Sequence, residues 1–270
     1  MFPVLVQIGP IIIYSLWLFI GIAFIFSVFV FTSLAKTKRL QLNFIYSNSV
    51  NIFIFGLIFA RLFFVTENYQ LYFPDLSLNS FLGTFYIWDK GLSFVGGLIG
   101  ITASLAYYSW KEKEQTKKWL DILTISTISG LVIGHIGRFL DGSSYGRETN
   151  LPWGILFESP SIKYAVPIHP TQLYAALYSI IIAVLLLILF TKSTFKAGTI
   201  AFIGFVSYLT MVFLEGFVRG DDTIIYLNLR IEQWFSIITL LIAAGTYVIY
   251  RYNSKRKNLN TEKNTNAQHN

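Results

Sequence analysis

Ionisable side chains cluster in one polar stretch, residues 134–178, which separates two long apolar runs. Polar and charged groups at a membrane boundary are energetically costly, so a cluster of this kind indicates a functional site. The alternative is a solvated loop with ordinary turn chemistry. The ionisable residues of this stretch include His135, Arg138, Asp141, Arg147, Glu148, Glu158 and His169.

Three arginines, Arg138, Arg147 and Arg219, are predicted to bind the phosphate of a lipid headgroup. A guanidinium is planar and always charged, so it forms paired, charge-assisted hydrogen bonds with phosphate. The alternative is that each arginine reaches water or pairs with a nearby acid such as Glu148 or Asp221.

Four other candidate residues are better suited to structural roles. Gly96 and Gly97 lie in the run GLSFVGGLIG, where small residues favour close helix packing, with the approach of a lipid as the alternative. His169 precedes Pro170 at the end of the polar stretch and is predicted to brace the loop. Gln233, beside a tryptophan, is predicted to anchor the last apolar run at a membrane interface.

The composition is that of a polytopic membrane protein. Of the 270 residues, 54% are hydrophobic and only 13% are charged, against about 25% in soluble domains. The chain has no cysteine, which excludes disulfides and a cysteine nucleophile in the protein itself. Three histidines without cysteine make a poor ligand set, so neither a metal nor another cofactor is expected.

Seven predicted transmembrane helices position these residues, and each has a length close to the ~20 residues needed to cross a bilayer. The fold class is therefore all-α, with one membrane domain over residues 1–250 and a small loop-rich outer segment around 140–170. The polar, basic tail, 251–270, is predicted to be disordered. The predicted spans are 11–34, 44–65, 92–110, 119–139, 173–190, 200–217 and 231–250.

The distribution of basic residues predicts the orientation. Fourteen of the 21 lysines and arginines fall in three alternate loops and the C-terminal tail, which all lie on one side. The positive-inside rule places that side in the cytoplasm and the N-terminus and the polar stretch outside. Nucleic-acid binding is excluded because most of the positive charge lies on short cytoplasmic loops and the tail of a membrane protein.

Seven short motifs resemble the prolipoprotein diacylglyceryl transferase family, in family order over roughly residues 8–240. The most specific are the YGRET–PWG and HPTQLY combinations. The motifs are IIIYSL, ARLFF, GLSFVGGLIG, GHIGRFLDGSSYGRETNLPWG, HPTQLYAALY, EGFVRGDD and EQWFS.

This resemblance implies an enzyme of the bacterial inner membrane with seven spans. Members of the family move the diacylglyceryl group of phosphatidylglycerol to the thiol of the lipobox cysteine in a prolipoprotein. The implied partners are phosphatidylglycerol, the prolipoprotein signal peptide and the lipid bilayer.

The resemblance also implies roles for individual residues. Tyr14 and Arg219 match family positions linked to catalysis, and His135 and Arg138 are expected to act with them. The residues expected to bind phosphatidylglycerol are Arg138, Arg147, Arg219, Gly96 and Gly97. The residues expected to support the loops are His169, Gln172, Tyr174, Glu215 and Gln233.

The sequence departs from the family pattern at Val95, His135, Arg138 and Ser143. His135 and Arg138 are three residues apart, which places both on one face of a continuing helix. We hypothesise that they have exchanged roles, so that Arg138 binds phosphate and His135 helps to deprotonate the thiol, since histidine titrates in the required range. The alternatives are a non-catalytic relative that binds lipid or signal peptides and, outside the family, a small membrane transporter.

Overall fold

The computed structural model describes residues 2–73, 77–86, 91–157, 162, 165–192, 195–246 and 248. The predicted disordered tail lies outside these residues. The chain forms two compact units, of which the first comprises Met1–Phe24, Ile128–Leu185 and Ile203–Asn270. The second comprises Ile25–Thr127 and Leu186–Phe202.

Each of the seven predicted spans coincides with a helix. In the described part of the chain, four of these helices (α1, α2, α6 and α7) are long and apolar enough to cross a membrane, while α8 and α9 are shorter apolar helices. The all-α polytopic fold class is confirmed. The helices are α1 Ser15–Thr37, α2 Leu42–Glu67, α3 Tyr69–Tyr72, α4 Leu78–Gly83, α5 Phe94–Lys111, α6 Thr116–Asp141, α7 Thr171–Lys192, α8 Thr199–Glu215 and α9 Ile231–Thr246.

The N-terminal end of the first predicted span is wrong. Residues Ile11–Tyr14 form a strand, β2, which pairs antiparallel with β1, Val4–Ile8. Gly9 has a φ of 58° and Pro10 follows it, so the chain turns there instead of continuing as a helix. Three consecutive isoleucines then favour a strand because β-branched side chains suit extended backbone.

In the first unit, the middle of the polar stretch folds back on the residues just before α7. Glu148 and Ile155 each form a β-bridge with Ile168. Buried Tyr145, Phe157, Ile162 and Ile168 form a hydrophobic cluster beneath this segment. A second hairpin, of β3 Ile225–Tyr226 and β4 Leu229–Arg230, joins α8 to α9.

In the second unit, α5 packs closely against α2. A Cβ atom at Gly96 would lie 2.5 Å from the carbonyl oxygen of Phe59, whereas one at Gly97 would lie 3.5 Å from the nearest atom, in Ala60. Gly96 is therefore required for the close approach, as expected for small residues at helix contacts.

Two buried charged residues of the second unit bind backbone. Arg61 is 5% exposed and donates to the carbonyl oxygens of Thr84 and Gly91 at 2.7 and 3.1 Å. Asp121 is 4% exposed and accepts from the backbone N–H groups of Gly198 and Ala201 at 2.8 and 2.7 Å. Asp121 thereby satisfies N–H groups at the start of α8 that have no partner within the helix.

Candidate active site

The first unit contains a cavity of about 90 Å³, which can hold a group of several atoms, such as a phosphate, rather than a whole lipid. Its lining is unusually rich in charged and phenolic side chains for a site between apolar helices. The lining residues are His135, Arg138, Tyr178, Tyr208, Val212, Glu215, Gly216, Arg219, Arg230 and Glu232.

His135 and Arg138 reach this cavity together because α6 continues as a helix to Asp141. His135 and Arg138 therefore lie on one face of α6, as their spacing predicts. In the part of the chain that the structure describes, the Arg138 guanidinium makes no hydrogen bond and no ion pair with another residue. An unpaired guanidinium that lines a cavity is suited to an anionic ligand.

His135 is 5% exposed, and its Nε2 atom lies 3.2 Å from the hydroxyl oxygen of Tyr208. The Tyr178 ring packs edge-on against both the His135 and Tyr208 rings, at centroid distances of 6.3 and 5.6 Å. Tyr178 also donates a hydrogen bond of 2.8 Å to a carboxylate oxygen of Glu215. These contacts fix the imidazole ring beside the cavity and leave it little freedom to rotate.

Arg219 forms a two-bonded ion pair with Asp221, with its Nε atom 3.0 Å from Oδ1 and its Nη2 atom bonded to Oδ2. Burial by itself lowers the pKa of the Arg219 guanidinium. The hydrogen bonds to Asp221 and the negative charges of Asp221, Glu215 and Glu232 outweigh this effect, so the pKa is raised above its ordinary value. Arg219 is therefore a permanent cation at the cavity.

Two glycines allow the backbone of Arg219 to cross the polar stretch. Gly146 forms a β-bridge with Arg219, and the N–H of Gly220 donates to the carbonyl oxygen of Tyr145 at 2.9 Å. A Cβ atom at Gly220 would lie 2.5 Å from the carbonyl oxygen of Gly146. The close backbone contact thus requires glycine at position 220. It also fixes the position of the Arg219 backbone, from which the side chain extends.

The residues predicted to support the loops make contacts that fit this role. Gln172 donates to the carbonyl oxygen of Ser143 at 2.8 Å. Nδ1 of His169 lies 3.1 Å from the hydroxyl of Tyr174. Gln233 is 1% exposed and donates to the carbonyl oxygen of Phe213 at 3.0 Å. Glu215 differs from these residues because it lines the cavity itself.

Four of the residues predicted to act in catalysis or lipid binding lie outside the cavity lining. Tyr14 ends β2 and is 46% exposed. Arg147 is also exposed, and its Nε atom donates to the carbonyl oxygen of Arg219 at 3.0 Å. Gly96 and Gly97 belong to the second unit, at the contact between α5 and α2.

Four charged or phenolic cavity residues were not predicted from the sequence: Tyr178, Tyr208, Arg230 and Glu232. Tyr178 could have been found, since it follows Tyr174 by one helical turn on α7. Tyr208 stands in an apolar helix 73 positions from its partner His135, and no local pattern connects the two.

The chemistry available to this arrangement is anion binding next to a fixed imidazole. Three guanidiniums, from Arg138, Arg219 and Arg230, line one small space. Such groups stabilise charge that develops on a leaving phosphate ester. A neutral imidazole nitrogen at the same cavity can accept a proton.

A family model described as prolipoprotein diacylglyceryl transferase matches residues 3–249. A phosphatidylglycerol–prolipoprotein diacylglyceryl transferase from Polynucleobacter necessarius is 31% identical over 189 residues, covering 69% of this chain and 70% of the relative. One from Bordetella parapertussis is 29% identical over 256 residues, covering 91% and 94%. The chain therefore belongs to the prolipoprotein diacylglyceryl transferase family.

Proposed function

We propose that this protein transfers the diacylglyceryl group of phosphatidylglycerol to the lipobox cysteine of prolipoproteins. The observation that carries the proposal is the guanidinium of Arg138, which makes no hydrogen bond or ion pair with a described residue and lines one cavity with Arg219 and His135. Family membership over nearly the whole chain supports the same reaction.

In the proposed reaction, the cysteine thiolate attacks the diacylglyceryl carbon that is bonded to the phosphate oxygen. The C–S bond of a thioether forms while the C–O bond breaks, and glycerol phosphate leaves with the electron pair. The thiol proton must pass to a base because the thiolate is the nucleophile. The reaction therefore needs a cationic site for the phosphate and a proton acceptor near the sulfur.

Arg138 and Arg219 are the proposed phosphate-binding residues. Both line the cavity, and Arg219 remains cationic because Asp221 and other nearby acids raise its pKa. Arg147 is exposed near the backbone of Arg219, and we propose that it contacts the same headgroup from the solvent side. For Gly96 and Gly97 the proposed contribution is to let the donor lipid approach α5, in addition to helix packing.

His135 is the proposed residue that orients or deprotonates the thiol. Its Nε2 atom faces the Tyr208 hydroxyl, which holds the ring at the cavity. Positioned general bases contribute about 100- to 10,000-fold to a rate. Tyr14 is proposed as a further catalytic residue on the basis of the family resemblance. His169 is proposed to brace the loop through Tyr174.

The protein is a multi-pass membrane protein of a bacterial inner-membrane family. We further propose that the N-terminus is outside and the C-terminus cytoplasmic, as the distribution of basic residues predicts. The cavity, at the C-terminal ends of α6 and α8 and the N-terminal part of α7, then opens near the outer leaflet. Phosphatidylglycerol and the prolipoprotein signal peptide would both reach it from the bilayer.

Complementation tests this proposal. The protein is expressed in a bacterium depleted of its own diacylglyceryl transferase, and the mass of a reporter lipoprotein's cysteine-containing peptide is measured. We expect a diacylglyceryl adduct with the unaltered protein and none with Arg138→Ala or Arg219→Ala. Glu148→Gln, an exposed carboxylate change in the same segment, serves as the control. Absence of the adduct with a folded, membrane-inserted protein would favour a relative that binds lipid without chemistry.

A further inference from the structure

The carboxylate of Asp221 is shared by two guanidiniums. Arg219 binds both of its oxygens, and Nη2 of Arg230 donates to Oδ1 at 2.9 Å. Both carboxylate oxygens are therefore occupied by arginine. A carboxylate held in this way is available for positioning its partners but not for accepting a proton from the substrate.

Arg230 is almost entirely enclosed, with 3% of its surface exposed. Its Nη1 atom donates to the backbone carbonyl oxygen of Asp221 at 3.0 Å and reaches that of Arg219 at 3.5 Å. Its Nε atom makes no hydrogen bond with a described residue and lies 3.6 Å from a carboxylate oxygen of Glu232. Arg230 thus holds the backbone of residues 219–221 as well as the Asp221 side chain.

The way in which Arg219 is bound leaves one edge of its guanidinium available. An arginine has five N–H donors, and Asp221 engages the edge formed by Nε and Nη2. Among the described residues, Nη1 of Arg219 donates to no other group. The ion pair therefore fixes the plane of the guanidinium while its remaining donors are left for a ligand in the cavity.

The formal charges around this site explain why orientation matters. Arg138, Arg219 and Arg230 are matched by three carboxylates, those of Asp221 and of the cavity residues Glu215 and Glu232. These carboxylates reduce the net attraction that the cluster exerts on a phosphate at long range. Binding must then depend on short-range hydrogen bonds, which require donors held in the correct direction.

We propose that Asp221 and Arg230 are positioning residues that orient Arg219 toward the phosphate group of the lipid donor. Arg230 fixes Asp221, and Asp221 fixes the guanidinium plane of Arg219. This inference rests on the proposed function for the identity of the donor. It assigns to both residues a role that they perform through Arg219.

The test is a double-mutant cycle with the full-length protein purified in detergent. Initial rates of transfer to a lipobox-containing reporter are measured against phosphatidylglycerol concentration. Asp221→Asn removes the charge while keeping the shape, and we expect kcat/KM for phosphatidylglycerol to fall about 10- to 100-fold. In an Arg219→Lys background, where the guanidinium fork is already lost, the same change is expected to have less than about a 3-fold effect.

Arg230→Lys is the second variant and keeps the positive charge that balances Asp221. It loses the planar fork that binds two backbone carbonyls and the carboxylate, so we expect a similar fall in kcat/KM, again only when Arg219 is present. Glu148→Gln is the matched control for a carboxylate-to-amide change outside the cluster. Thermal unfolding of each variant verifies that it is folded.

Unchanged kcat/KM in folded Asp221→Asn and Arg230→Lys proteins would overturn the inference. An equal fall in kcat/KM in the Arg219 and Arg219→Lys backgrounds would also overturn it. Lack of transfer by the unaltered protein would instead count against the proposed function. In that case the positioning role is tested separately by measuring the binding of phosphatidylglycerol, with phosphatidylcholine as the comparison lipid. About 10-fold weaker binding of phosphatidylglycerol by Asp221→Asn than by the unaltered protein supports the positioning role. Equal binding by the two proteins refutes it, and so does an unaltered protein that does not bind phosphatidylglycerol.

Discussion

Replacement of Gly220 by alanine tests whether the backbone crossing at Gly146 sets the position of Arg219. The new Cβ atom would lie 2.5 Å from the carbonyl oxygen of Gly146 and 2.8 Å from the backbone nitrogen of Arg147. Ordinary van der Waals contact begins at 3.4 Å. Because the obstructing atoms belong to the backbone, no side-chain rotation can relieve the overlap, and one of the two segments must move.

The required movement gives the expected size of the effect. The two segments must separate by about 1 Å, and a displacement of that size near a reacting group can lower a rate about 100-fold. Arg219 is adjacent to Gly220 and would move with it. Overpacking of this kind also costs about 1–3 kcal/mol in the free energy of unfolding. We therefore expect a fall of about 100-fold in kcat/KM with only a moderate loss of thermal stability.

The assay is transfer from phosphatidylglycerol to a reporter prolipoprotein, together with thermal unfolding of the same preparation. Gly21→Ala is the control, because nothing lies within 4 Å of the corresponding Cβ position on α1. Its activity and melting temperature are expected to match those of the unaltered protein. If Gly220→Ala keeps normal kcat/KM and normal stability, the backbone crossing does not position Arg219 and the reasoning is wrong.

Three further predictions concern other parts of the chain. His135→Ala should lower kcat by at least about 100-fold if His135 is the base, whereas His169→Ala should mainly lower the melting temperature; full transferase activity in His135→Ala would rule out the base role. Gly96→Ala should destabilise the protein because its Cβ would lie 2.5 Å from a backbone oxygen of α2, while Gly97→Ala, with 3.5 Å available, should not. Equal melting temperatures for those two variants would contradict the packing argument, and loss of phosphatidylglycerol binding in folded Gly97→Ala would support lipid contact there. Asp121→Ala should cost about 1–3 kcal/mol in unfolding free energy by leaving two N–H groups of α8 without acceptors, and unchanged denaturant unfolding would refute that role.

The helices could be predicted from sequence because a run of about 20 apolar residues is a strong and local signal. The start of the first helix could not be placed in the same way. Residues Ile11–Tyr14 are as apolar as a span, and hydropathy does not distinguish a strand from a helix over four residues. The Gly9–Pro10 pair was the available signal for a turn.

Spacing alone predicted the candidate site only where its residues are close in sequence, whereas Arg219 was identified by its residue type and by the family resemblance. The spacing of His135 and Arg138 predicted one helix face, and both residues line the cavity. Glu215 was expected to support a loop, yet it lines the same cavity and accepts a hydrogen bond from Tyr178 on α7. Tertiary contacts between different helices bring such groups together, and a single sequence contains no pattern that reports them.

The relation of Arg230 to Asp221 shows the same limit over a shorter distance. The two residues are nine positions apart and meet because the β3–β4 hairpin reverses the chain between them. The turn residues, Leu227 and Asn228, both have positive φ values, at 48° and 60°. Leucine gives no signal for that conformation, so the hairpin and the resulting ion pair were not foreseen.

Reconstitution of the reaction is the most direct test of the proposed function. The purified protein is mixed with phosphatidylglycerol and a peptide that contains a lipobox cysteine, and both products are followed by mass spectrometry. We expect a thioether-linked diacylglyceryl peptide and an equal amount of glycerol phosphate, each reduced at least about 100-fold by Arg219→Ala. A folded protein that binds phosphatidylglycerol but forms neither product would contradict the proposed function.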